Sequence, residues 1–310
     1  MAVEHIIPGI DDPTCGIAVA AKQLITRGVG ADGEVWVHSM WTPLVIKASI
    51  KALLTGKKLV RMPHGCTDPE KLRFHWHKKR WIAPIERWLF RRADRIVATC
   101  EDEVNWIKTF EPQVKKVEVI PLASSIPHPP SPATLSTSHI PHPSSLKLLY
   151  VGRLHPLKGV KFLLDAIAQL PNPQSVELCL IGKDEGEGQS LKKQATSLNL
   201  NATFEGIVSE EAKKAAYDWC DALVLPTLSE NFGLVIAEAL ERGKCVITTD
   251  GAPAWGKECN EELRNKNEEL GGGQVLSGYS GRLIYLKGYR DGTPEERVRL
   301  LKNAVDGIAN

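Results

Sequence analysis

Apolar and polar positions follow two alternating periods along this chain. Runs with strand character at Val3–Ile10, Glu34–Ser39, Lys58–Met62, Ile96–Thr99 and Val117–Pro121 are separated by helically spaced stretches at 16–28, Thr42–Leu54 and Glu101–Phe110. The alternation resumes after residue 145. Strands are predicted at Leu146–Val151, Val176–Gly182, Ala202–Gly206, Asp221–Pro226 and Cys245–Thr249. The helices between them fall at Val160–Leu170, Leu191–Leu198, Glu210–Trp219, with Ser209 as its cap, and Gly233–Glu241. Beyond Asp250 the pattern weakens: 253–281 is irregular with one charged helical run, and Arg282–Lys287 reads as a strand. A final helix opens at Thr293-Pro-Glu-Glu, with proline in the first helical position and acids in the first turn. Such alternation predicts an α/β protein of two doubly wound domains, with ligands at the carboxyl ends of the strands and in a cleft between the domains.

Residues 125–145 break the pattern. The stretch Ser124–Ser145 has six prolines and no Asp, Glu, Lys or Arg, so it reads as an extended linker between a first domain, 1–124, and a second, 146–310. The helix at 294–308 is open to packing back on the first domain. A length of 310 residues suits two domains. The N-terminal segment lacks the basic start of a signal peptide, and no apolar run reaches the ~18 residues of a membrane span. Seven scattered cysteines without a Cys-x-x-Cys pair fit reduced thiols, and together these features predict a cytoplasmic enzyme.

Net charge is uneven. Residues 1–126 hold 19 Lys and Arg against 14 Asp and Glu, whereas the rest of the chain is net acidic. Nine of those basic residues fall in Lys71–Arg95, interleaved with Phe74, Trp76, Trp81, Trp88 and Phe90. Such a face suits an anionic membrane surface or nucleic acid, and also a core-packed helix with a solvated basic side.

The chemistry concentrates in two strand-to-helix loops. Arg153 and Lys158 lie in one; Glu230 lies in the other, and Glu238 follows it inside the next helix, with seven residues between the two. Parallel strands bring both loops to the same sheet edge. There two cations and a helix mouth suit a diphosphate, while carboxylates suit ribose and sugar hydroxyls. Two features of the first half are weaker signals. Gly16 opens a helix where a backbone could approach a ligand or simply turn. His64 sits between Pro63 and Gly65 at a strand end, where it could meet a ligand or only water. Gly28-Val-Gly-Ala-Asp-Gly33 matches G-x-G-x-x-G but follows a helix and precedes a strand, the reverse of a dinucleotide fingerprint.

The segments VGRLHPLKG (151–159), EGIVSEE (205–211) and LPTLSENFGLVIAEAL (225–240) resemble the retaining GT-B glycosyltransferases with an E-x7-E signature, family four, group 1. PHGCTDPEKL (63–72) and IVATCEDE (96–103) look like the members that build bacterial exopolysaccharide and lipopolysaccharide. The resemblance implies that Arg153 and Lys158 grip the donor diphosphate, Glu238 binds ribose, and Glu230 contacts the transferred sugar. It also implies that N–H groups of Asn231, Phe232, Gly233 and Leu234 serve sugar and phosphate, and that backbone at Gly206, Ile207 and Val208 meets the base. Gly16 would present a helix mouth to the diphosphate, and His64 would touch the sugar from the acceptor side. Partners so implied are a nucleotide-sugar donor and a glycan or lipid-linked acceptor, with no cofactor, no metal and no nucleic acid, on the inner face of a membrane reached through Lys71–Arg95. Cys15 stands where the family often has a second glycine, and the first domain is shorter than usual. Two other readings compete: a soluble sugar synthase of the same fold, and a non-catalytic glycan- or nucleic-acid-binding module on a decayed transferase.

Overall fold

A computed structural model describes residues 3–11, 15–122, 145–256, 274–275 and 282–309. The expected linker at 125–145 and the charged run at Cys259–Glu269 fall almost wholly or wholly outside these residues. Chain contacts divide into two compact units, 1–126 and 127–310.

The first unit is a five-stranded parallel sheet in the order β1-β2-β3-β4-β5. Its elements are β1 (Glu4–Ile6), α1 (Gly16–Thr26), β2 (Glu34–His38), α2 (Pro43–Leu54), β3 (Lys58–Met62), α3 (Pro69–Arg73), α4 (Trp76–Arg92), β4 (Arg95–Ala98), α5 (Glu101–Phe110) and β5 (Val117–Val119). Every residue of β2 is buried, which explains why Val35-Trp36-Val37 at its centre runs apolar without alternation. Val35, Val37, Leu59, Ile96 and Ala98 from the strands pack with Phe90, Ile107 and Phe110 from the helices. Within this core Arg61 and Glu86, both fully buried, form an ion pair at 2.8 Å, and Glu86 also accepts from the Trp41 N–H at 2.8 Å. Glu86 thereby ties α4 to the sheet.

The basic aromatic stretch is two helices. His75, in the left-handed region at φ 55°, separates α3 from α4. Inward positions of α4 are Ala83, Glu86, Leu89 and Phe90, while Trp81, Ile85 and Trp88 face outward at helical spacing.

The second unit contains β6 (Leu146–Val151), α6 (Val160–Ala168), β7 (Val176–Ile181), α7 (Gly188–Ser197), β8 (Asn201–Gly206), α8 (Glu210–Trp219), β9 (Ala222–Leu225), α9 (Leu234–Glu241), β10 (Cys245–Thr249), β11 (Gln274–Val275), β12 (Arg282–Leu286) and α10 (Pro294–Ala309). Its sheet order is β11-β12-β10-β9-β6-β7-β8, parallel except for the β11–β12 pair. The order reverses between β6 and β9, whereas the first sheet runs in chain order without reversal. A crevice therefore opens at the carboxyl ends of β6 and β9, where neighbouring loops leave in opposite directions. Ser209 caps α8 by accepting from the Ala212 N–H at 3.2 Å. Thr293 and Glu296 exchange hydrogen bonds in a capping box at the start of α10. That helix packs on α6, with the Arg297 guanidinium over the Phe162 ring at 5.1 Å.

Candidate functional site

In the second unit the loops after β6 and β9 are stitched together. The Leu228 N–H donates to the Leu157 carbonyl at 2.8 Å, and the Thr227 hydroxyl donates to the same carbonyl at 3.2 Å. Gly159, at φ +66°, lies so close to β9 that a Cβ there would stand 2.1 Å from the Pro226 carbonyl oxygen. A third loop supports the second from behind. The Glu230 N–H donates to the Gly251 carbonyl at 2.7 Å, and a Cβ on Gly251 would meet the Thr227 oxygen at 2.1 Å.

This stitching delivers Lys158 to Glu230. Their side chains form an ion pair, and Lys158 Nζ is also 3.4 Å from the Ser229 carbonyl. Lys158 is only 5% exposed, so its charge is compensated at close range rather than by bulk water. Glu230 Oε1 accepts from the Asn231 N–H at 3.1 Å. Beyond it, Phe232 is buried against Trp255, whose indole N–H donates to the Phe232 carbonyl. Gly233, at φ +73°, turns the chain into α9, whose first turn receives no side-chain cap. In that turn the Ile236 N–H donates back to the Gly233 carbonyl at 2.8 Å, and the N–H groups of a helix start point along its axis toward the preceding loop, the side an anion would approach.

Glu238 has a separate setting. It accepts from the Tyr217 hydroxyl at 2.9 Å and from Lys213 Nζ at 3.4 Å, both on α8. Burial and the Glu238 charge together push the Tyr217 phenol well above its ordinary value, so it stays a donor. Arg153 also departs from the expected arrangement: its guanidinium pairs with Glu185 at 2.7 Å rather than lying with Lys158. Its backbone is fixed by Tyr150, whose hydroxyl donates to the Arg153 carbonyl at 2.7 Å. Across the strand ends, the Gly206 carbonyl accepts from the Gly182 N–H at 2.7 Å, and Ile207 and Gly206 are exposed beside half-buried Val208. An exposed isoleucine at a strand end offers an apolar seat for a flat ring.

In the first unit Gly16 is the first residue of α1, again without a side-chain cap, and a Cβ there would meet nothing within 4 Å. Packing inside the unit therefore does not demand that glycine. His64 is 3% exposed rather than an open turn residue, and holds a left-handed backbone at φ 53°. Burial pushes its imidazole down to about 3, with the Lys71 charge adding to the effect. Its Nε2 is 2.9 Å from His38 Nδ1. The next residue is anchored by Glu103, which accepts from the Gly65 N–H at 2.5 Å, the Thr99 N–H at 2.7 Å and the Thr99 hydroxyl at 2.8 Å. Burial raises the Glu103 carboxyl even against those hydrogen bonds.

Sequence reasoning missed His5, His38, Glu103, Glu185, Lys213 and Tyr217. A signal existed for the histidines: one falls on each of the first two strands and one directly after the third. Lys213 and Tyr217 are one helical turn apart, a spacing shared by innumerable surface pairs. Among the described residues no group of three or more His, Cys, Asp or Glu is placed to hold a metal ion.

Comparison with known proteins agrees with this architecture. Residues 18–123 match the model described as Glycosyltransferase Family 4, and residues 137–258 match Glycosyl transferases group 1. The chain is 30% identical over 179 residues to glycogen synthase of Mycobacterium tuberculosis, covering 55% of this chain and 41% of that protein. It is 27% identical over 240 residues to D-inositol 3-phosphate glycosyltransferase of Kineococcus radiotolerans, covering 72% and 52%. The chain thus spans about two-fifths of the length of the first curated relatives it matches. Among solved structures, Anabaena HepE in complex with UDP and glucose superposes with a TM-score of 0.56 at 20% identity, over 96% of this chain and 79% of that one. WaaG, a glycosyltransferase involved in lipopolysaccharide biosynthesis, does so at 0.63 and 14%, over 99% and 93%. The fold is that of the GT-B glycosyltransferases. Each of its two units resembles one of these two glycosyltransferase family models.

Proposed function

We propose that this chain is a retaining glycosyltransferase that needs no metal. It moves a sugar from a nucleoside-diphosphate sugar to a glycan or lipid-linked acceptor, in the assembly of cell-surface polysaccharide or lipopolysaccharide. The observation that carries this reading is the Lys158–Glu230 pair beside the uncapped start of α9, at the strand-order reversal of the second sheet. A cation, a carboxylate and the N–H groups of a helix start within one loop pair match a ligand with phosphate next to sugar hydroxyls.

In this reading the donor diphosphate takes over Lys158 from Glu230 and draws Arg153 away from Glu185. Glu230, so released, accepts from hydroxyls of the transferred sugar. Glu238, already aligned by Tyr217 and Lys213, accepts from the ribose. The N–H groups of Asn231 to Leu234 meet sugar and phosphate, Gly206 to Val208 meet the base, and Gly16 presents the mouth of α1 to the diphosphate. His64 contacts the sugar. Transfer breaks the bond from anomeric carbon to phosphate oxygen, and the diphosphate leaves with the bonding electrons. The acceptor hydroxyl oxygen bonds to the same carbon from the same face, and its proton passes to a donor phosphate oxygen. Arg153 and Lys158 stabilise the charge that develops on the leaving group.

For location we propose the inner face of a membrane from the cytoplasmic side, and the outward face of α4 favours this over a freely soluble synthase. Trp81 is 73% exposed, with Ile85 and Trp88 following along the same face and Arg80 and Arg92 over the two indoles. Among the described residues no helix is long and apolar enough to cross a membrane.

A panel of nucleotide sugars screened by thermal shift, then assayed for acceptor-dependent release of nucleoside diphosphate, tests the reading. One donor should raise the melting temperature, and Lys158→Ala and Glu238→Ala should abolish that shift. No response to any donor, with unchanged melting in both variants, would overturn it. Donor binding without transfer to any acceptor would favour the decayed binding module.

A further inference from the structure

Three histidines form a line across the first sheet. His5 Nδ1 lies 3.0 Å from His38 Nε2, and His38 Nδ1 lies 2.9 Å from His64 Nε2. Neighbouring rings stack, with centroids 5.4 and 5.2 Å apart. Burial pushes His38 and His64 far below their ordinary value, so both rings are neutral at physiological pH. A hydrogen bond between neutral imidazoles sets one N–H against one lone pair, so the line has two consistent directions. Either every ring carries its proton on Nε2, or every ring carries it on Nδ1.

The far end selects the direction. His64 Nδ1 is buried and has no hydrogen-bond partner among the described residues. A buried N–H without an acceptor is rarer than an under-satisfied acceptor, so His64 carries its proton on Nε2 and leaves a lone pair at Nδ1. Through the two ring-to-ring contacts His38 and His5 then carry theirs on Nε2 as well. A backbone hydrogen bond of His5 with Val29 that favours the protonated ring agrees with this direction. Buried polar atoms are normally satisfied, so an unsatisfied acceptor in a candidate substrate site marks the place of a ligand donor.

We propose that His5 and His38 are positioning residues which, through the two ring-to-ring hydrogen bonds, hold His64 as its Nε2–H tautomer and aim the Nδ1 lone pair at a hydroxyl of the sugar substrate. The identity of the ligand rests on the transferase reading above; the tautomer does not. Long-range proton–nitrogen NMR on histidine-labelled protein reads each ring directly. The expected result is protonated Nε2 and unprotonated Nδ1 in all three, with His38→Phe releasing His64 into a mixture of tautomers. His64 protonated on Nδ1, or unchanged by His38→Phe, would overturn the proposal. Kinetics provide the second measurement. His38→Phe and the half-buried His5→Phe should each lower kcat/KM for transfer about tenfold, the worth of one net hydrogen bond, while the Kd for nucleoside diphosphate stays constant. His38→Gln, whose carbonyl can still accept from His64, should recover part of the loss. Equal kcat/KM in all variants would overturn the positioning role. A chain that shows the tautomers but transfers no sugar would instead refute the transferase reading.

Discussion

Lys158 is a buried cation whose nearest carboxylate occupies the position argued for the donor sugar. Removing it costs the donor a charged hydrogen bond of about 1.5–3 kcal/mol, and Lys158→Ala should weaken donor binding roughly 10- to 100-fold by titration calorimetry. Tyr217 acts one step further out, through Glu238. Tyr217→Phe should raise the donor KM by less than Glu238→Ala does, because Lys213 still holds the carboxylate. The histidine line also makes stability depend on pH. His5, His38 and His64 all lie below the ordinary 6.5 when folded, and His64 reaches about 3. The unfolded chain binds their protons first, so this stability is complete above pH 6.5 and is lost as pH falls toward the folded value. Each such group contributes a slope of up to about 1.4 kcal/mol per pH unit. Glu103, raised by burial, has the opposite sign and loses stability as pH rises above 4.5. Urea midpoints from pH 7 to 5 should therefore fall, and fall less steeply in His64→Gln.

Elements place these residues through contacts that tolerate little change. Gly159 combines a left-handed backbone with an approach of 2.1 Å between its virtual Cβ and the Pro226 oxygen. Gly159→Ala should cost at least ~2 kcal/mol in urea denaturation and separate Lys158 from Glu230, lowering donor affinity as well. The buried Arg61–Glu86 pair is the corresponding fixture of α4. Glu86→Ala would strand a buried guanidinium, with an expected loss of about 3–5 kcal/mol. The bounds of β6, β9, α8 and the helix from Pro294 follow from apolar period, Ser209, and Thr293-Pro-Glu-Glu. The break at His75 did not, because nothing in local periodicity announces a single left-handed residue inside a basic aromatic run.

At the scale of the molecule, an apolar stripe flanked by cations should hold the chain on an anionic surface. Co-sedimentation with vesicles rich in anionic lipid should recover the wild-type protein, and Trp81→Glu with Trp88→Glu should leave it in the supernatant. Phe90 and Glu86, from the same helix, belong to the core, so composition alone overstated the outward surface of this stretch. Much of the geometry in the second unit was legible: the loops carrying Lys158 and Glu230 do meet, and the uncapped α9 follows them. Arg153 was placed in the right loop, but its partner Glu185 lies in another. The histidine line was not legible as a unit, since its members are 33 and 26 residues apart.

Sequence by itself determined the alternation of strands and helices, the two-domain plan, and the loops that hold the charged residues. Those features are local: period, caps, turns and motif spacing act within a few residues. Tertiary structure alone decided strand order, hence the reversal between β6 and β9 that brings two loops 72 residues apart into one site. It also decided which charges pair and which imidazoles share protons. Hydrogen bonds and ion pairs act over about 3 Å, and only the folded chain sets which distant residues come that close. The stretch from Pro226 to Leu240 thus carried the chemistry in its residues, while the partners of Glu230 and Glu238 were assigned by the packing of separate elements.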